Sequence, residues 1–107
     1  MYKDTLKEII EIANILNKRS KQQLKDITIY IDNIINTNIS NKTIIEKTFD
    51  ALLDLTYILG QEVESVYYRL LNYYKSIDLE AANDYETFYL EIINEDEKYT
   101  LKKEKNM

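Results

Sequence analysis

One glycine, Gly60, and no proline occur in 107 residues. Few features constrain a fold more. Tight turns between β-strands rely on Gly, Pro, Asn-Gly or Asp-Gly, and neither of those two dipeptides is present. Apolar residues recur instead at spacings of three and four, the helical period. The sequence predicts an all-α fold, a small bundle of three to four helices. Residues 1–97 form a single helical domain, and 98–107 form a charged C-terminal tail expected to fray.

The first segment, about 4–18, carries Leu6, Ile9, Ala13 and Leu16 as its stripe, with Thr5 and Glu8 as a capping box. The second, about 20–36, starts at the Ser20/Gln23 signal and carries Leu24, Ile27, Ile31, Ile34 and Ile35. NTNISNKT (36–43) reads as a loop, because its side chains compete for backbone hydrogen bonds. A third helix is expected from Thr43, boxed by Glu46. Its stripe of Ile45, Phe49, Leu52, Thr56 and Leu59 continues in phase through Val63, Val66, Leu70, Tyr73 and Ile77. That continuity favours one long central helix, about 43–77, straight or merely kinked at Gly60, of roughly 50 Å. The competing reading makes Gly60 a helix stop. Asp78 is the expected cap of a last helix, about 79–94.

A hydrophobic fraction of 45% supports a packed core rather than disorder. Cysteine is absent, which gives no sign of an oxidising compartment. No apolar run approaches a membrane span, and the N-terminus lacks a signal-peptide pattern. A cytoplasmic protein without membrane contact is expected. The net charge of −5 is uneven: 1–42 carry seven basic and five acidic residues, whereas 43–107 carry seven and fourteen. This balance argues against direct nucleic-acid binding.

Without His or Cys there is no catalytic triad, no Cys-His nucleophile and no Cys/His zinc site. No glycine-rich phosphate loop exists. Glu8 and Glu11 form E-x-x-E, but no E-x-x-D follows to complete a magnesium-dependent pyrophosphatase pattern. A non-enzymatic chain with no catalytic, cofactor-binding or metal-binding residues is expected.

Tyrosine is the distinctive residue, ten in all. In VESVYYRLLNYYKSI (63–77), Tyr67, Tyr73 and Tyr74 fall near the Leu70 stripe and read as core or its border. Tyr68 lies about 160° from Leu70; on a continuous helix Leu53, Tyr57 and Leu71 join it as a second apolar stripe. A surface helix ordinarily has one such stripe, so this helix is contacted from two sides, the second stripe covered either by another helix of the same chain or by another molecule. Leu53, Tyr57, Tyr68 and Leu71, rimmed by Glu64, are therefore the candidate partner-binding residues. The expected partner is another protein, most simply a basic one, with a structural homodimer as an alternative. A second alternative is a nucleic-acid-mimic inhibitor acting through Asp84, Glu86 and Glu91 on the acidic last helix. In length and helix content the chain is similar to small helical immunity proteins and to phage or mobile-element inhibitors, which implies an inhibitor or regulator that binds another protein.

Overall fold

A computed structural model describes the backbone of residues 2–105 and the side chains of 4–95. The described residues form four α-helices: α1 (Tyr2–Asn36), α2 (Lys42–Leu59), α3 (Glu64–Lys75) and α4 (Leu79–Lys105). A 3-10 turn, Gly60–Val63, joins α2 to α3. The described residues contain no strand, as the glycine and proline count predicts. The expected frayed tail, 98–107, falls where side chains (and, at 106–107, the backbone) lie outside the described residues.

The first two expected segments are one helix. Ser20 sits inside α1, where it is buried. An S-x-x-Q sequence starts a helix only if the preceding turn leaves it. Leu16-Asn17-Lys18-Arg19 are ordinary helix formers and stay in phase with Leu24. At the far end, Asn38 takes a left-handed φ of 54°, and Ile39 N–H donates to the Ile34 carbonyl at 3.0 Å. This is a Schellman-type stop, for which Asn is one of the few suitable non-glycine residues. Asn41, not Thr43, then caps α2: its side chain accepts from Ile44 N–H at 3.2 Å. Glu46 is thereby freed from the predicted capping box and accepts the Tyr74 hydroxyl at 2.5 Å.

Helical turns run from Lys42 to Lys75 through the 3-10 turn, as the continuous spacing predicts. They do not form a straight rod. In a straight helix Glu46 and Tyr74 would stand about 42 Å apart; here they share a hydrogen bond. Phe49 also meets Tyr67, with ring centroids 5.1 Å apart. The axis therefore reverses at Gly60, whose φ of 60° and ψ of −131° are open to glycine and strained for other residues.

The α2–α3 hairpin lies against the C-terminal half of α1, and α4 returns along both α2 and α3. Ile31, Ile34, Ile45, Phe49, Leu52, Val63, Leu70 and Ala82 are fully buried between them. Thr48 and Thr56 enter this core without penalty, because each hydroxyl donates to the carbonyl one turn back at 2.8 Å. Lys42 pairs with Asp78 at 2.5 Å across the loop end of the bundle, and Arg69 of α3 pairs with Asp32 of α1. Asp78 caps α4 as expected, accepting from Ala81 N–H at 3.0 Å.

Candidate functional site

An aromatic cluster fixes α4 on the hairpin and so builds the surface beside it. Phe49 is central: Tyr85 stacks on it at 4.7 Å and Tyr74 tilts against it at 5.7 Å. Tyr67 stacks on Tyr89 at 4.7 Å. The buried hydroxyls of the hairpin find acceptors. Tyr67 donates to the Tyr85 carbonyl at 2.6 Å, and Tyr73 to the Ile39 carbonyl at 2.7 Å. Rings with satisfied hydroxyls can fill a core that Phe or Leu would otherwise occupy. Tyr89 is the exception; its hydroxyl is buried with no hydrogen-bond partner among the described residues.

Burial raises the pKa values of these phenols. Tyr67 and Tyr74 are pushed well above the usual value of 10, mainly by desolvation, with the Glu46 hydrogen bond adding to the shift at Tyr74. Tyr85 rises to about 12, first through burial and then through the carboxylate of Asp50. Tyr89 also rises to about 12, through burial and then Glu64.

Tyr85 leads out of the core. Its hydroxyl reaches toward Asp50 at 3.4 Å, and Asp50 stands at one end of a groove between α2 and α4. The groove has a volume of about 420 Å³. Leu53 and Tyr57 of α2 and Phe88 and Ile92 of α4 form its floor. Asp50 and Asp54 line one wall, Glu91 and Glu95 the other. No basic side chain lines it, and none of the four carboxylates forms an ion pair among the described residues. Tyr57 and Phe88 are conspicuously open for aromatic residues, at 69% and 44% exposure. The groove is thus apolar at its base and anionic at both rims.

Helical spacing explains how the sequence makes it. Asp50, Leu53, Asp54 and Tyr57 sit at steps of three, one and three on α2; Phe88, Glu91, Ile92 and Glu95 repeat those steps on α4. Each helix offers an apolar–acidic edge, and the two edges face one another.

The predicted second stripe divides. Leu53 and Tyr57 line the groove. Leu71 does not belong to a surface at all: it is fully buried by this chain's own helices. Tyr68 is half-buried, its ring edge-on to Tyr89 at 5.8 Å. Burial, followed by a hydrogen bond to Glu86, raises its hydroxyl pKa. Glu64 is exposed in the first turn of α3, away from the groove. The correction has one cause. The stripe exists only on a straight helix, and the reversal at Gly60 turns its α3 half inward, toward α1 and α4.

The acidic trio of the mimic reading is also divided. Glu86 turns toward α3, where it meets Lys75 at 3.9 Å. Asp84 and Glu91 lie two turns apart on a different face of α4, and Glu91 joins the groove. Asp50, Asp54, Phe88, Ile92 and Glu95 were missed. Their signal was available in the repeated acidic–apolar steps, but only the fold reveals that the two helices are neighbours.

The described residues hold no group of three or more carboxylates placed to bind a metal ion, and no helix among them is long and apolar enough to cross a membrane. Comparison with known protein families, curated proteins and solved structures finds no match.

Proposed function

We propose that the chain is a non-enzymatic protein-binding module whose α2–α4 groove receives a basic, amphipathic helical segment of another protein. One observation carries this reading: an apolar floor containing two open aromatic rings, set between four carboxylates with no cation among the described residues. Apolar side chains of a visiting helix would displace water from Leu53, Tyr57, Phe88 and Ile92. Its Lys or Arg residues would meet Asp50, Asp54, Glu91 and Glu95. The apolar contact supplies most of the affinity, while the charges set orientation, association rate and salt sensitivity. The absence of His and Cys from the sequence supports a role without catalysis.

The test uses a synthetic helical Leu/Lys peptide titrated into the isotopically labelled chain. Resonances of Leu53, Tyr57, Phe88 and Ile92 should shift at low salt and shift less as salt rises. The double variant Asp54→Lys/Glu91→Lys should lose at least tenfold in affinity with its helix content unchanged. Peptide binding that leaves those four resonances still, or that survives the double variant, refutes the assignment.

A further inference from the structure

The walls of the α2–α4 groove are charged in a staggered order. The two helices run side by side in the same direction. Lys42 pairs with Asp78, the Phe49 ring stacks on Tyr85, and Tyr85 reaches Asp50, so each contact joins residues 35 or 36 positions apart. That constant offset puts both rims on one scale. At about 1.5 Å per residue, Asp50, Asp54, Glu91 and Glu95 follow one another at about 0, 6, 8 and 14 Å along the groove. The α2 carboxylates therefore occupy one half of the groove and the α4 carboxylates the other, on opposite walls. An open aromatic ring stands across from each pair: Phe88 from Asp50 and Asp54, Tyr57 from Glu91 and Glu95. Carboxylates on one side and a ring face on the other suit a cation in each half.

We propose that the groove selects its helical guest by charge spacing: basic residues at i, i+4, i+5 and i+9, with apolar residues at i+1 and i+8. This rests on the groove being the docking site for a basic helix, and it names the sequence pattern that site accepts. The helical rise fixes the positions. Guest residues level with the four carboxylates stand four, five and nine places after the first. The helical turn fixes the flanks. At about 100° per residue, i and i+4 lie on one side of the guest, and i+5 and i+9 lie about 140° further round. Positions i+1 and i+8 fall midway between the two flanks, toward the apolar floor.

Handedness agrees with the spacing. Around α2 the angular order climbs from Leu53 on the floor to Asp54 on the rim; around α4 it descends from Ile92 to Glu91. Seen from solvent with both C-termini upward, α2 is then on the right, and the carboxylates run from lower right to upper left. A right-handed guest helix running upward lays i and i+4 at the lower right and i+5 and i+9 at the upper left. The pattern reads the same from either end, so a guest running downward fits equally. A helix with its basic residues along a single flank, at i, i+4, i+7 and i+11, meets only one pair of carboxylates.

End-blocked, alanine-based helical peptides of equal composition and helicity, each with four lysines and two leucines, test the pattern by titration into the isotopically labelled full chain at low salt. The matched peptide should bind at least tenfold more tightly than the single-flank peptide. A third peptide keeps the lysines in place and moves the leucines to i+3 and i+6. Its charges then fall on the wrong diagonal, and it should lose a similar factor. A nitroxide at one terminus of the matched peptide should broaden resonances at both ends of the groove, near Asp50 and near Glu95. Three peptides of equal affinity that all shift Leu53, Tyr57, Phe88 and Ile92 overturn the spacing and leave the groove as the docking site. A matched peptide that leaves those four resonances still overturns both. Tighter binding of either control peptide overturns the spacing, and broadening at one end alone overturns the guest's freedom of direction.

Discussion

The two halves of α1 carry one stripe and meet different fates. Along residues 20–36, Ile31 and Ile34 are fully buried against the α2–α3 hairpin. Along residues 4–16, chemically equivalent side chains such as Ile9 remain more than half exposed. Composition and periodicity do not distinguish the halves; the length of α2 does. Eighteen residues of α2 reach only as far as the middle of a 35-residue partner. An amphipathic stripe therefore shows that a helix needs cover, while the lengths of neighbouring helices decide whether the same chain supplies it.

Equivalent truncations should break the symmetry of the two halves. Ile34→Ala should cost about 2–5 kcal/mol in urea unfolding, the range for deleting a core aliphatic side chain. A loss below 1 kcal/mol would mean that the C-terminal half is not core. Gly60→Ala probes the reversal that sets how far α2 extends. Nothing lies within 4 Å of an added Cβ, so backbone strain alone should operate. A thermal-melting loss of about 1–3 kcal/mol is expected.

Alkaline pH should act through the covered region. The folded-state pKa values of Tyr85 and Tyr89, near 12, exceed the unfolded value of 10. Their stabilisation is therefore complete below pH 10 and is lost as pH rises from 10 through 12. Helix content and tyrosinate absorbance followed together should show ionisation of these rings coinciding with unfolding. Early, independent ionisation with the helix signal intact would contradict their burial. The smallest effect belongs to Ile9→Ala, which should change the stability of the dilute monomer by no more than about 0.5 kcal/mol. Native-state hydrogen exchange should show the same division, with amides of 20–36 protected well beyond those of 4–16 in dilute solution.

The helical class was legible because it follows from local chemistry: one glycine, no proline and a period near 3.6. The buried identities of Tyr67 and Tyr74 were legible for the same reason. The reversal at Gly60 was not, since a residue with no side chain leaves the stripe's phase intact whether the helix bends or continues. That single ambiguity misplaced Leu71 and Tyr68, whose covering helices are remote in sequence. The break expected at Ser20 failed differently: a capping signal reports what a terminus would gain, not whether the chain leaves the helix there. The groove was half legible. Leu53 and Tyr57 stood out as apolar residues on a nominally outer face, whereas their counterparts on α4 looked like an ordinary wet flank until the two helices were brought together.

The turn at Gly60 also carries a structural liability. A stripe that stays in register across it suits an extended rod as well as a folded hairpin. Straightening would pull Phe49 away from Tyr67 and Tyr74 and open both faces at once, and the nearest match for each would be a neighbouring molecule opened in the same way. Domain exchange is the misassembly such a straightening would permit, opposed by one backbone conformation and by the four-residue turn that keeps α2 and α3 side by side.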